Sequence, residues 1–107
     1  DELDPQCVHV LARDEAGAPI GTGRLTPERT IGRMAVLPPW RGKGVGDALL
    51  QALIDEAAKR RWPEVSLHAQ VSAIGFYARH GFVPYDGRYM EAGIEHQNMR
   101  RRLDGPT

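Results

Sequence analysis

The sequence lacks the features that mark secreted and membrane proteins. A single cysteine, Cys7, cannot form an internal disulfide, and no apolar segment near residue 1 resembles a signal peptide. No run approaches the roughly 18 consecutive apolar residues that a membrane-spanning helix needs. We therefore expect a cytoplasmic protein without a membrane partner.

An excess of charge is also missing. Lys and Arg total 14, Asp and Glu total 14, and the formal net charge is 0, so no global field attracts nucleic acid. The short basic run at residues 100–102 is typical of a solvated strand end. Because the histidines and the cysteine follow no metal-ligand spacing, we predict neither a nucleic-acid partner nor a bound metal.

What remains is the composition of an ordinary folded domain. Hydrophobic residues make up 41% of the chain and charged residues 26%, and 107 residues suffice for one core. We predict a single domain over residues 1–107, with a disordered tail at residues 104–107.

Three β-prone runs occupy the first third of the chain. Residues 7–13 and 20–25 are separated by turn-forming residues, which predicts a β-hairpin. The alternating pattern of residues 31–37 predicts a third strand, with Ile31 and Ala35 on the same face. A Pro-Pro pair ends this strand, since proline cannot donate to a ladder.

The hydrophobic period changes to that of a helix at Val45. Apolar residues recur there at i, i+3, i+4, i+7 and i+8, which predicts a long helix. A fourth strand is predicted at residues 65–70, then a short helix with Ser72 as its cap and Gly81 as its end. Two closing strands are then predicted, at residues 82–90 and 94–103.

A glycine-rich loop, Arg41-Gly42-Lys43-Gly44-Val45-Gly46, joins the third strand to the long helix. Helix N-termini present unpaired N–H groups and partial positive charge, and glycines let the backbone approach an anion. Arg41 and Lys43 add charge-assisted donors. The spacing meets neither the dinucleotide fingerprint nor the P-loop, which leaves a pyrophosphate site or a merely structural turn.

Two motifs resemble those of the GNAT acyltransferases. Residues 34–46 are similar to the family's coenzyme A motif, V-x-P-x-x-R-G-x-G-x-G/A. Residues 70–82 resemble N-x-x-A-x-x-F-Y-x-x-x-G-F, with Gln70 in place of the asparagine. A late run at residues 91–99 resembles the ElaA-like branch, so the similarity extends from Gln6 to Leu103.

The resemblance implies an α/β (α+β) fold with a mixed, mostly antiparallel central sheet and helices on both faces. The sheet should splay at the strand of residues 31–37 and admit pantetheine. The family's first strand and first helices, which wall the acceptor site, have no counterpart in this sequence. An apolar sheet face left open would favour self-association, so we predict a homodimer.

The resemblance also implies acetyl-coenzyme A as co-substrate and assigns residues to it. Backbone groups of the third strand would meet pantetheine, the loop would hold the pyrophosphate, and the second motif would add further contacts. The residues implied to bind it are Met34, Ala35, Val36, Arg41, Gly42, Lys43, Gly44, Val45, Gly46, Gln70, Ala73 and Phe76.

Two residues are candidates for proton transfer. Tyr77 matches the family tyrosine that serves as general acid toward the coenzyme A sulfur, although an aromatic residue at helical spacing is also typical of core packing. His68 shares a strand face with Gln70 and has a suitable reference pKa near about 6.5, although it is equally typical of a hydrogen-bonded sheet histidine. Glu91 and His96 are looser candidates for the base.

Two classes of function follow from the resemblance. The first is an N-acetyltransferase that promotes direct attack of a primary amine, on a small molecule or a peptide, within a ternary complex. The second is a non-catalytic coenzyme A-binding or regulatory module. The second stays open because the carboxylate base of many relatives has no match in the third strand, where Arg33 and Met34 stand.

Overall fold

The computed structural model describes residues 6–103, and the structural statements below concern that range. The predicted tail at residues 104–107 lies outside the described residues. Within them, neither helix combines the length and the apolar character needed to cross a membrane.

Seven strands and two helices follow one another along the chain. The strands are β1 (Val8–Arg13), β2 (Pro19–Leu25), β3 (Thr30–Val36), β4 (Glu64–Gln70), β5 (Val83–Pro84), β6 (Tyr89–Glu91) and β7 (Ile94–Arg102). The helices are α1 (Val45–Lys59) and α2 (Ile74–Ala78), and short 3-10 turns occupy Pro38–Trp40 and Val71–Ala73.

The strands form one mixed sheet. Its order is β1-β2-β3-β4-β7-β5, and β6 also pairs with β7. Only the β3–β4 pair is parallel, while every other pair is antiparallel. The predicted mixed, mostly antiparallel sheet with helices is therefore confirmed. Side chains of α1 and α2 both pack into the same core cluster around Leu50 and Phe82.

The long helix begins at Val45 as the period predicted, and it lies close to the sheet. Its buried residues are Leu49, Leu50, Leu53, Ile54 and Ala57, whereas Ala48 and Ala52, which the predicted stripe included, are exposed. Gly21 on β2 permits the close approach, since a Cβ there would lie 2.9 Å from Leu49 Cδ1 and 3.1 Å from Val45 Cγ1. A side chain at Gly21 would therefore push the start of α1 away from the sheet.

Strand β3 departs from the predicted alternation. Thr22 pairs with Ala35 and Arg24 with Gly32, so two residues of β3 stand opposite one of β2. This is a β-bulge, and Arg33 within it has a left-handed φ of 51°. Ile31 consequently does not share its face with Ala35, as strict alternation required. Ile31 belongs to the core and Met34 packs against it, whereas Ala35 lines a groove with Leu11.

The parallel pairing of β3 with β4 is short. Only Thr30 with Ser66 and Ile31 with Leu67 are paired, immediately before the bulge. The two strands then diverge, which matches the splay implied by the resemblance. The divergence opens a gap in the middle of the sheet.

Two predictions for the last third of the chain were wrong. Ser72 does not cap α2: a 3-10 turn precedes the helix, and Ala73 is its N-cap without a side-chain bond. The predicted strand at residues 82–90 is split into β5 and β6, because Asp86 turns with a left-handed φ of 60°. The predicted helix end is confirmed, since Gly81 adopts a left-handed φ of 87°.

Candidate active site

The largest cavity, here called the loop groove, lies between the end of β3, the glycine-rich loop and α2. Its volume is about 540 Å³, within the range of sites for small molecules. Apolar and glycine residues dominate its wall. The lining residues are Met34, Ala35, Val36, Trp40, Arg41, Gly42, Gly44, Gly46, Asp47, Ala73, Phe76, Tyr77 and Arg79.

The backbone of the loop groove is shaped to hold an anion. Gly44 is the N-cap of α1 in a left-handed conformation, with φ 86° and ψ 2°, which residues other than glycine rarely adopt. The N–H groups of the first helical turn lack acceptors within the helix, and the helix dipole adds positive potential. Arg41 stands beside them, where its Nε donates to the Val36 carbonyl at 3.0 Å. The terminal guanidinium nitrogens carry further donors for an anion.

The second cavity, here called the strand gap, is the space that opens where β3 and β4 diverge. Its volume is about 320 Å³ and its wall is more polar than that of the loop groove. The lining residues are Ile31, Gly32, Arg33, Met34, Leu67, His68, Gln70, Ala73, Tyr77 and His96.

The two cavities meet at a shared wall. Met34, Ala73 and Tyr77 line both of them. Burial raises the pKa of the Tyr77 phenol, so the hydroxyl keeps its proton across the neutral range. A molecule in the loop groove and another in the strand gap would therefore both border a protonated phenol.

Tyr77 also packs against other aromatic rings. Its ring meets Phe76 edge-on at a centroid distance of 5.1 Å and Phe82 at 6.1 Å. These contacts fix the orientation of the ring. The two predicted roles of Tyr77, packing and proton donation, are thus compatible at one position.

His68 extends from β4 beside the strand gap and is held by two residues that the sequence analysis did not identify. Its Nδ1 lies 2.7 Å from the Tyr89 hydroxyl and 2.8 Å from Asn98 Oδ1. Tyr89 and Asn98 come from β6 and β7, 21 and 30 residues further along the chain. No local motif predicts these two partners, because only the pairing of β4 with β7 places Asn98 opposite His68.

Most of the residues that the resemblance assigned to the co-substrate lie at the loop groove. Lys43 and Val45 alternate with lining residues but do not line it themselves, and Gln70 lines the strand gap instead. The sequence analysis missed three groove residues. These are Trp40, Asp47 and Arg79.

Asp47 is hydrogen-bonded to His80, which limits the effect of its negative charge on the loop groove. Its Oδ1 lies 2.7 Å from His80 Nε2, at the first turn of α1. A carboxylate in the first turn stabilises the helix through the helix dipole. The position of Asp47 in the first turn of the predicted helix is the sequence signal that could have identified it. Among residues 6–103, no three side chains of the metal-binding types gather at one point.

Comparisons with known proteins agree with this geometry. A family model for the acetyltransferase (GNAT) domain matches residues 2–103. The N-acetyltransferase YjcF of Bacillus subtilis strain 168 is 33% identical over 105 residues, which cover 94% of this chain and 74% of the relative.

Solved structures show the same similarity. An acyl-CoA N-acyltransferase from Pseudomonas aeruginosa superposes with a TM-score of 0.76 at 32% identity, covering 89% of this chain and 68% of that one. Escherichia coli ElaA superposes with a TM-score of 0.78 at 29% identity, covering 89% of this chain and 67% of its own.

Proposed function

The chain belongs to the GNAT acetyltransferase family, and from this premise we propose that it transfers an acetyl group from acetyl-coenzyme A to a primary amine within a ternary complex. The loop groove would hold the coenzyme, and the strand gap would admit the amine. The single observation that carries the proposal is the shared wall of the two cavities, with Tyr77 in it.

The loop groove suits the chemistry of the coenzyme. Its first-turn amides and the Arg41 guanidinium offer donors for a pyrophosphate, while Met34 and Val36 offer an apolar wall for pantetheine. The bulge at Arg33 removes one residue of β3 from the regular ladder, next to the shared wall. This supports a backbone N–H near Met34 as the donor that stabilises the oxyanion.

The proposed reaction moves two protons. His68 takes a proton from the ammonium form of the acceptor, and the neutral amine nitrogen attacks the thioester carbonyl carbon. The new N–C bond forms as the C–S bond breaks. Tyr77 gives its proton to the departing thiolate, and the phenolate is reprotonated, directly or through solvent, by the second proton that the attacking nitrogen loses as the amide forms. The raised pKa of Tyr77 supports this role, because the phenol is fully protonated when the thiolate leaves.

Release of free thiol from acetyl-coenzyme A tests the proposal. Purified protein is incubated with a panel of small-molecule and peptide primary amines, and thiol is measured with and without each amine. We expect amine-dependent release. Binding of the coenzyme in calorimetry without release for any amine would instead establish the non-catalytic module.

We also propose that the protein acts in the cytoplasm and forms a homodimer. The single cysteine supports a cytoplasmic site of action. Exposed Leu11 and Leu37 beside an apolar groove support a homodimer that covers this face of the sheet. A monomeric mass in light scattering at high protein concentration would contradict the dimer.

A further inference from the structure

Three polar atoms around His68 form a closed triangle. His68 Nδ1 lies 2.7 Å from the Tyr89 hydroxyl and 2.8 Å from Asn98 Oδ1, and the Tyr89 hydroxyl lies 2.7 Å from Asn98 Oδ1. All three distances are those of good hydrogen bonds. Each atom must therefore present either a hydrogen or a lone pair that suits both neighbours.

The chemistry of the three groups fixes where the hydrogens lie. Asn98 Oδ1 can only accept, so the contact with His68 Nδ1 requires a hydrogen on that nitrogen. The Tyr89 hydroxyl donates its own hydrogen to the same oxygen and presents its lone pairs to the imidazole N–H. A neutral imidazole carries one hydrogen only, so the His68 Nε2 atom bears a lone pair.

Tyr89 is itself held in place by its surroundings. Its ring stacks on the His96 imidazole at a centroid distance of 5.8 Å and an interplanar angle of 21°. His96 is anchored in turn, since its Nδ1 donates to the Ile94 carbonyl at 2.8 Å. Burial and the neighbouring Glu91 raise the pKa of Tyr89, so its hydroxyl remains a donor at neutral pH.

We infer that Asn98 and Tyr89 are positioning residues that hold neutral His68 with its proton on Nδ1, so that Nε2 receives the proton of the acceptor amine. The inference rests on the proposed function, in which His68 is the base. It adds two residues to the site and assigns one tautomer to the histidine. Partners of metal-ligating histidines typically contribute about 10–100-fold to activity, and a wrong tautomer in a catalytic triad costs about 10⁴-fold.

Several titratable groups surround the imidazole and bear on its pH dependence. Arg33 on β3, Tyr77 on α2 and His96 on β7 line the strand gap with it. Glu91 on β6 lies 4.0 Å from His96 Nε2. Asn98 Oδ1 contacts both His68 Nδ1 and the Tyr89 hydroxyl, so a shift caused by a change at Asn98 reports on these two contacts together.

Nitrogen NMR of the wild-type protein tests the tautomer without reference to activity. The imidazole signals of 15N-labelled protein are assigned with a His68→Gln variant and recorded above the pH at which His68 becomes neutral. We expect the proton on Nδ1 in the wild type and a mixture of tautomers in Asn98→Leu. A wild-type His68 with its proton on Nε2 would overturn the inference.

Kinetics with isosteric variants test the consequence for the reaction. Asn98→Asp puts a carboxylate beside the Nδ1 proton, which stabilises the imidazolium, so the acidic limb of the kcat/KM profile should move up by about one pH unit or more. Tyr89→Phe keeps the ring and should lower kcat by about tenfold. Tyr85→Phe is the control for a neighbouring phenol, because Tyr85 contributes to the raised pKa of Tyr89 but lies under Arg100 outside both cavities, and its kcat should fall much less than that of Tyr89→Phe.

The outcomes separate the two proposals. Absence of amine-dependent thiol release from the wild type contradicts the proposed function. The NMR experiment tests the tautomer of His68 independently of any activity. An active enzyme whose acidic limb ignores Asn98→Asp, or follows His96→Gln and not His68→Gln, would overturn the role of Asn98 and Tyr89. If Asn98→Leu fails to fold, Asn98→Asp and Tyr89→Phe still decide the question.

Discussion

The loop groove and the strand gap differ in how the chain builds them. Apart from the four residues that α2 and its two caps contribute, the loop groove is lined by one segment, from Met34 to Asp47. The strand gap takes its wall from β3, β4, α2 and β7. Most of the loop groove is therefore formed by a continuous stretch of sequence, whereas the strand gap forms only when strands distant in the sequence pair.

The two cavities also differ in the kind of polar group that lines them. In the loop groove the donors are backbone amides and the guanidinium groups of Arg41 and Arg79, and the amides need only a correct backbone conformation. In the strand gap the polar groups are side chains whose partners lie on other strands, as His68 shows with Asn98. Local sequence thus determines the loop groove, whereas tertiary packing determines the strand gap.

The largest effect is expected where the two cavities meet. Tyr77→Phe removes the proposed proton donor and leaves the ring contacts with Phe76 and Phe82 in place. We expect kcat to fall by about 10²–10⁴-fold, the usual loss for a general acid, with little change in the dissociation constant of acetyl-coenzyme A. Steady-state kinetics and calorimetry measure the two quantities. An unchanged kcat would assign Tyr77 to packing alone.

A smaller effect is expected within the loop groove, and it distinguishes two cations of the same motif. Arg41 lines the cavity and Lys43 does not. We expect Arg41→Gln to weaken coenzyme A binding by about tenfold, the value of a lost charge-assisted bond, and to reduce its dependence on salt. Lys43→Gln is the matched control and should change the affinity less. Calorimetry at two ionic strengths gives both comparisons, and equal losses would contradict the geometry.

The smallest effect concerns the backbone of the loop. A Cβ at Gly44 would meet no atom within 4 Å, so the cost of Gly44→Ala comes only from its left-handed φ of 86°. We expect the free energy of unfolding to fall by about 1–2 kcal/mol. Gly46→Ala is the control, because its Cβ would make an ordinary contact 3.5 Å from Phe76 and its helical backbone suits alanine. Denaturant unfolding without ligand measures both, and a neutral Gly44→Ala would show that the loop does not need the left-handed conformation.

Sequence reasoning succeeded where the signal is local. The start of α1 at Val45 follows from hydrophobic periodicity, and the end of α2 follows from Gly81. The bulge at Arg33 was missed because it depends on the register between β2 and β3, which alternation within one strand cannot reveal. The partners of His68 were missed for the same reason, since Asn98 reaches it only when β4 pairs with β7, and Tyr89 only when β6 pairs with β7 as well.

The close packing of α1 on Gly21 couples strand β2 to the loop groove. Val45 and Leu49 lie against this glycine, and Gly46 and Asp47 of the same helical turn line the groove. A side chain at residue 21 is therefore expected to shift this turn and to change the width of the groove, although Gly21 does not line it. Substitution of Gly21 thus offers a way to alter the shape of the groove without changing any residue of the glycine-rich loop.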